Sequence, residues 1–411
     1  SEKYGKQIMW IFLSLFLGGI VFLIDSDVYK KFALPIYLVT LGLLVLVLFM
    51  PPINGARAWI GVGSMGIQPA EFAKITTALL LAKYVSELNI RLLSSYNVLT
   101  ALIIIVIPMG LILLQPDAGT FVVFTAFFFV LYREGLTFDP FILKFINLLP
   151  KVRYKQTWIG SHFIPILFVL VFLSILTILL GHKNLGIIPG LPLYGSFGII
   201  VSLFLISVAG ILFIQKFGTK REKVKVRLII VLSFIVGSAS SYFVEYSFVH
   251  LADHQKDRIE LFLGLKEDPN GKDYNRNRAM AAVGSGGFSG KGYQNASVSS
   301  VKTNHVPESE TDFIFCPFAE EWGFLGGSVL LMIYLFIIIR ILVIAERQRS
   351  SFNRIYAYSV GMFFFYHFAI NIGMNIGFAP VIGIPLPFFS YGGSSMMSFS
   401  IMVFILLKLD S

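Results

Sequence analysis

The chain has 411 residues, 56% hydrophobic and 14% charged, with 41 phenylalanines and a formal net charge of +10. At this length a mean hydropathy of +0.78 excludes a soluble globular protein and requires a chain that meets lipid over much of its surface. Cys316 is the single cysteine, which excludes an intramolecular disulfide.

A helix crosses the hydrocarbon core with roughly 20 apolar residues, fewer where flanking side chains reach the interface. In chain order the candidate spans are 8–24, 32–50, 72–85, 98–114, 121–131, 163–180, 194–214, 228–246, 324–345, 355–378 and 396–409. They predict an all-α polytopic membrane protein of about 11 transmembrane helices. The third and fifth runs are short, and the third holds Lys74, so either is open to reading as a re-entrant or tilted element. The chain opens on Ser1 and enters a span directly, with no cleavable signal pattern, so a start upstream is expected.

Short cytoplasmic loops keep an excess of Lys and Arg. One alternating set of loops holds Lys30 and Lys31, then Arg133, Lys144, Lys151, Arg153 and Lys155. It continues with Lys216, Lys220, Arg221, Lys223, Lys225 and Arg227, and ends with Arg340, Arg347, Arg349 and Arg354. The opposite set offers Arg57 and Lys183 and nothing basic between Pro380 and Gly393. The first set is therefore placed inside and the long polar loop 248–322 outside, since loops longer than about 60 residues cross largely regardless of charge. Most of the net charge is then topological, and it calls for no nucleic acid.

Ionisable groups at membrane depth cost roughly 3 kcal/mol each on insertion scales, so they mark functional sites or buried pairs. The first outward cluster runs from Arg57-Ala58-Trp59 to Gln68-Pro69-Ala70-Glu71-Phe72-Ala73-Lys74. Glu71 and Lys74 share one helix face, either as an ion pair that lets the helix insert or as part of a site. The second is Gln115-Pro116-Asp117-Ala118-Gly119-Thr120, where Asp117 is suited to cap a helix.

The third cluster is the loop 248–322 itself. His250 and His254 stand at i, i+4 without a specified third metal ligand. The glycine-rich stretch from Gly284 to Gly292 is no P-loop, because it lacks that motif's spacing and a preceding strand. Glu308, Glu310 and Asp312 alternate, so an extended backbone would put them on one side, suited to a raised-pKa base or to a shared divalent cation. The apolar Phe313-Ile314-Phe315 that follows would draw Asp312 to the membrane surface, where it meets a lipid-borne substrate. By spacing alone a transporter fits nearly as well.

Seven motifs then carry a resemblance. Arg57-Ala58-Trp59, Gln68-Pro69-x-Glu71-x-x-Lys74, Gln115-Pro116-Asp117-x-Gly119-Thr120 and Gly284-Ser285-Gly286-Gly287 come first. Pro307-Glu308, Thr311-Asp312-Phe313-Ile314-Phe315 and the string from Pro385-Leu386-Pro387 through Ser390-Tyr391-Gly392-Gly393-Ser394 complete them. In this order they resemble the SEDS family of shape, elongation, division and sporulation proteins, most closely its RodA branch, and the family domain would cover residues 1–411.

The resemblance implies a multi-pass protein of the bacterial cytoplasmic (inner) membrane. It implies a peptidoglycan glycosyltransferase that polymerises lipid II beside a class B penicillin-binding protein during elongation. Asp312 matches the family's loop aspartate, proposed to activate the acceptor hydroxyl. Arg57, Gln68, Glu71, Lys74, Asp117, Arg258, Lys291, Glu308 and Thr311 match polar positions expected to bind substrate, with Arg and Lys suited to the donor's pyrophosphate. A divalent cation, Mg or Mn, is implied to offset charge on the leaving diphosphate, with Glu308, Glu310 and Asp312 as candidate ligands.

Three departures accompany the resemblance. Glu310 stands where the family commonly has His, the family's first span is missing, and residues 163–214 read as an inserted helix pair. The alternative function is a lipid-linked precursor flippase, since charged residues inside a bundle also suit transport.

Overall fold

The computed structural model describes residues 2–52, 57–61, 66–87, 94–146, 157–182, 195–217, 220–249, 272–299, 306 and 308–411. Among them α1 (Glu2–Leu23), α2 (Ser26–Val47), α3 (Pro69–Glu87), α4 (Ser95–Leu114), α5 (Ala118–Phe124) and α6 (Ala126–Arg133) come first. Next are α7 (Asp139–Ile146), α8 (Trp158–Ser161), α9 (Phe163–His182), α10 (Gly195–Phe217) and α11 (Lys220–Val249). The order closes with α12 (Lys272–Ser285), α13 (Phe315–Arg347), α14 (Ser351–Asn375) and α15 (Gly393–Asp410). The described residues form no strand beyond an isolated antiparallel bridge between Ile60 and Ile67.

Every predicted run overlaps a helix, and among the described residues 8 helices are long and apolar enough to cross a membrane. Run 121–131 belongs to the shorter apolar stretch Ala118–Arg133, interrupted at Thr125, whose hydroxyl donates to Val122 O at 2.6 Å. Run 72–85 becomes α3, whose 19 residues reach about 28 Å at 1.5 Å per residue, close to the hydrocarbon thickness. Run 324–345 begins at a break inside α13, where Gly323 takes φ 63° and ψ −164°. Loop 248–322 needs correction, because α11 runs on to Val249, α12 occupies 272–285, and 315–322 form the first turns of α13. A polar sequence with helical propensity thus folds as helix inside a stretch read as loop. Residues 250–271, with His250, His254 and Arg258, lie outside the described residues.

The chain divides into two compact units. The first comprises Ser1–Asn89, Leu99–Glu134 and Pro269–Ser411. Its outer surface is apolar, with Phe12, Phe16 and Phe336 exposed, the reverse of a water-soluble fold. Without a hydrophobic drive between helices in lipid, close packing and polar cross-links hold them together. A Cβ on Gly393 would lie 2.4 Å from the Trp10 ring, so α1 and α15 approach closely there. Thr40 and Thr76 hydroxyls meet at 2.8 Å between α2 and α3, and Tyr37 donates to Ile104 O of α4 at 3.0 Å.

One end of this unit gathers ions. Arg354 grips Glu134 with two hydrogen bonds of 3.0 and 2.7 Å, and Arg133 reaches Glu346 at 2.9 Å. Arg347 pairs with Asp410, which also accepts from Gln348 at 2.6 Å. Arg133, Arg347 and Arg354, grouped on one side by loop charge alone, therefore meet at one end of the bundle.

The second unit comprises Ile90–Val98 and Gly135–Asp268. Residues 163–214 form α9 and most of α10, with 183–194 outside the described residues. Glu245 of α11 accepts from Ser196 N at 2.6 Å, occupying an amide that the first turn of α10 leaves without an intrahelical partner. Asp139 is buried and accepts from Thr157 N at 2.8 Å and Thr157 Oγ1 at 2.6 Å.

Candidate functional site

The site grows from α3. Lys74 is completely buried, and its ammonium donates to both Glu71 oxygens at 3.0 and 2.9 Å. Its third donor meets His367 Nε2 at 2.9 Å, and Glu71 also accepts from Ser398 Oγ at 2.9 Å. The Phe399 ring lies 5.0 Å from the ammonium. Two charges so placed are tolerable in the membrane because each offsets the other and all three ammonium hydrogens are used. The expected ion pair is present, and its lysine is spent internally rather than offered to a phosphate.

One turn earlier, Gln68 donates through Nε2 to Asp117 Oδ2 at 2.7 Å, while its main-chain N donates to Ser394 Oγ at 3.0 Å. Asp117 caps α5, accepting from Thr120 N at 2.9 Å and from Thr120 Oγ1 at 2.8 Å. Gly119 lets the 382–384 segment lie against this turn, since a Cβ there would stand 2.7 Å from Ile382 O. The motifs around Gln68, Asp117 and Ser394, far apart in sequence, are thus one cluster.

The same segment also meets Asp312, whose Oδ2 lies 3.3 Å from where a Gly383 Cβ would be. Its seat is built from main-chain oxygens. Glu310 O accepts from Tyr391 N at 2.8 Å, and Thr311 O accepts from Ser390 Oγ at 2.6 Å. Asp312 O accepts from Asn371 Nδ2 at 2.8 Å and Asn375 Nδ2 at 3.2 Å. Three successive carbonyls are therefore held by α14 and the 385–391 turn. Next along the chain, Phe313 is buried with Ala279, Ala282, Val306 and Cys316.

The extended alternation of Glu308, Glu310 and Asp312 is corrected. Thr311 N and Phe313 N both donate to Glu308 O, at 3.1 and 3.0 Å, so the backbone turns back on itself. Glu308 instead accepts from Thr311 Oγ1 at 2.9 Å. Among the described residues no three His, Cys, Asp or Glu side chains converge on a point that could hold a metal ion. Glu308, Glu310 and Asp312 as they stand do not fit a shared divalent cation.

Lys291 stands apart from the predicted pyrophosphate role. Its ammonium donates to Glu320 Oε1 at 2.6 Å and to Ser285 and Ser297 hydroxyls at 2.8 Å each. Glu320, fully buried, also accepts from the main-chain N of Ser297, Val298 and Ser299 at 2.8, 2.9 and 2.8 Å. This carboxylate ties residues 297–299, which follow the glycine-rich stretch, to the start of α13.

Of the predicted residues, Gln68, Glu71, Lys74, Asp117, Thr311 and Asp312 belong to one polar region of the first unit. Glu308 reaches it only through Thr311. Arg57 is exposed and donates to Leu48 O at 3.2 Å, and Arg258 lies outside the described residues. His367, Asn371, Asn375, Ser390 and Ser398 were missed as site residues by sequence reasoning. A signal existed for the helical three: His367, Asn371 and Asn375 recur at i, i+4 and i+8, a polar stripe on an otherwise apolar helix.

A lipid-facing helical bundle that buries an ion pair and links it to a polar cluster defines a multi-pass membrane protein. The chain belongs to the FTSW_RODA_SPOVE family of cell cycle proteins, whose model matches residues 2–157 and 161–411. The peptidoglycan glycosyltransferase RodA of Treponema pallidum is 30% identical, over 100% of this chain and 90% of its own length. The peptidoglycan glycosyltransferase MrdB of Escherichia coli K12 is 28% identical over 95% of this chain and 81% of its own. Two solved structures share the fold. One, described as the structural coordination of polymerization and crosslinking by a peptidoglycan synthase complex, has a TM-score of 0.62 at 23% identity, covering 100% of this chain and 90% of that one. The other is the rod shape determining protein RodA of Thermus thermophilus, with a TM-score of 0.52 at 21% identity, covering 98% and 86%.

Proposed function

We propose that this chain, a peptidoglycan glycosyltransferase, polymerises lipid II at the outer face of the bacterial cytoplasmic membrane with Asp312 as general base. The carboxylate takes the proton of the acceptor sugar hydroxyl as that oxygen attacks the anomeric carbon of the donor. The bond to the polyprenyl diphosphate breaks, and the diphosphate leaves with its electron pair. A positioned base of this kind is worth on the order of 10²- to 10⁴-fold. The observation that carries the reading is the seating of Asp312 by three successive main-chain carbonyls, which leaves its position set by the backbone.

Asp117, which caps α5 and accepts from Gln68, is joined to the neighbourhood of the base through the 382–384 segment, which meets both Gly119 and Asp312. The family's divalent cation finds no converging set of three ligands among the described residues, and no step here runs through it. A class B penicillin-binding protein supplies the cross-linking partner. Purified protein with that partner, given lipid II, is expected to yield glycan chains that are lost on Asp312→Asn. Chains of normal length and rate from that variant would overturn the assignment.

A further inference from the structure

We infer that His367 is a positioning residue for glycosyl transfer, tying the buried Glu71–Lys74 pair to the backbone that carries Asp312. The inference rests on the reading of Asp312 as base and adds to it a residue that touches no reacting atom.

The two ring nitrogens have opposite jobs. Lys74 can only donate, so Nε2 at 2.9 Å must accept; Pro385 O can only accept, so Nδ1 at 3.0 Å must carry the hydrogen. The pair of contacts selects one neutral tautomer. The ring is buried and meets Phe399 edge-on at 4.8 Å, with an interplanar angle of 90°, so packing fixes the plane in which both bonds point.

What those bonds join matters more than their number. Asn371, one turn along the same face of α14, donates to Ile384 O at 2.7 Å and to Asp312 O at 2.8 Å. His367 and Asn371 therefore hold consecutive carbonyls, 385 and 384, from a single helix face. The turn that follows Pro385 is closed by Leu386 N donating to Ser390 Oγ at 2.8 Å, and Ser390 and Tyr391 hold the oxygens of Thr311 and Glu310. A shift of Pro385 thus moves the two supports that the turn supplies, Ser390 and Tyr391, against the two that stay with α14, Asn371 and Asn375. On its other nitrogen His367 holds Lys74, and through it Glu71 and Ser398, so the position of the turn is referred to a buried ion pair.

A residue that only filled space would be replaceable by any apolar side chain of similar size. One that spans a donor and an acceptor is replaceable only by a group offering both at the same reach. Glutamine does so with its amide oxygen toward Lys74 and its NH₂ toward Pro385 O; asparagine has the same chemistry one methylene short. Misplacement of a reacting group by an ångström costs up to about a hundredfold. For the complex with its partner, turning over lipid II, we expect His367→Gln to keep kcat within about threefold of wild type. His367→Asn and His367→Leu should lose tenfold or more in kcat, with KM for lipid II changed less than about threefold.

Equal kcat per folded molecule in the Gln and Asn variants would overturn the inference. That comparison stands even if His367→Leu does not fold. Polymerisation by wild type that persists in Asp312→Asn would sink the base assignment instead, whatever the His367 variants do.

Discussion

Asn371 donates one amide hydrogen to the carbonyl of Asp312 at 2.8 Å and the other to the carbonyl of Ile384 at 2.7 Å, and so staples two segments 72 residues apart in sequence. Asn371 is wholly buried. Replacing it with leucine takes a donor from Ile384 O, at about 1–3 kcal/mol, and leaves Asp312 O with the longer bond from Asn375. Asn371→Leu is expected to lower the melting temperature and to cut lipid II polymerisation at least tenfold, with KM little changed. Full polymerisation per folded molecule would show that the staple serves stability alone.

The Glu71–Lys74 pair makes a second prediction, in which stability and function separate. Lys74→Met alone leaves a buried carboxylate uncompensated, a loss of about 3–5 kcal/mol. Removing both charges, as Glu71→Leu with Lys74→Met, restores packing without an ion, and melting should recover to near wild type. Turnover should not recover, because His367 then has no lysine to hold. A double variant as unstable as the single one would refute this account, and thermal melting in detergent reads it directly.

Glu320 anchors residues 297–299 through three main-chain amides, whereas Lys291 contributes one ammonium, partly open to solvent. Glu320→Ala is therefore expected to release residues 291–299, with amide hydrogen exchange there rising at least a hundredfold, against less than tenfold for Lys291→Met. Comparable exchange in the two variants would mean that the ammonium, not the carboxylate, organises the stretch.

At Gly323 the backbone adopts φ 63° and ψ −164°, a region open essentially to glycine. A Cβ there would stand 2.3 Å from Gly290 N, against main chain that cannot swing away. Gly323→Ala should cost about 1–3 kcal/mol or more. An unchanged melting temperature would mean that the break in α13 relaxes easily.

Much of the fold was legible because lipid imposes a length on apolar runs and loop charge marks sides. The boundary at Phe324 fell beside the Gly323 break, and Arg133, Arg347 and Arg354 met where their loops had grouped them. Of the site, the spacing of Glu71 and Lys74 gave their pair and the sequence before Thr120 gave the Asp117 cap. His367 and Ser398 escaped notice because they stand 293 and 327 residues from the side chains they hold, a separation with no local pattern. The alternating carboxylates misled for the opposite reason. Period two is visible in sequence, but the bonds from Thr311 N and Phe313 N to Glu308 O that cancel it are not.

The described supports of residues 310–312 grip the peptide units, and the side chains take no part in those bonds. A support of that kind is indifferent to spelling. Those bonds end on carbonyl oxygens, which every residue type supplies, so substitutions at Glu310 or Thr311 leave them in place. Point changes can retune the surroundings of Asp312 while the fold still holds its backbone.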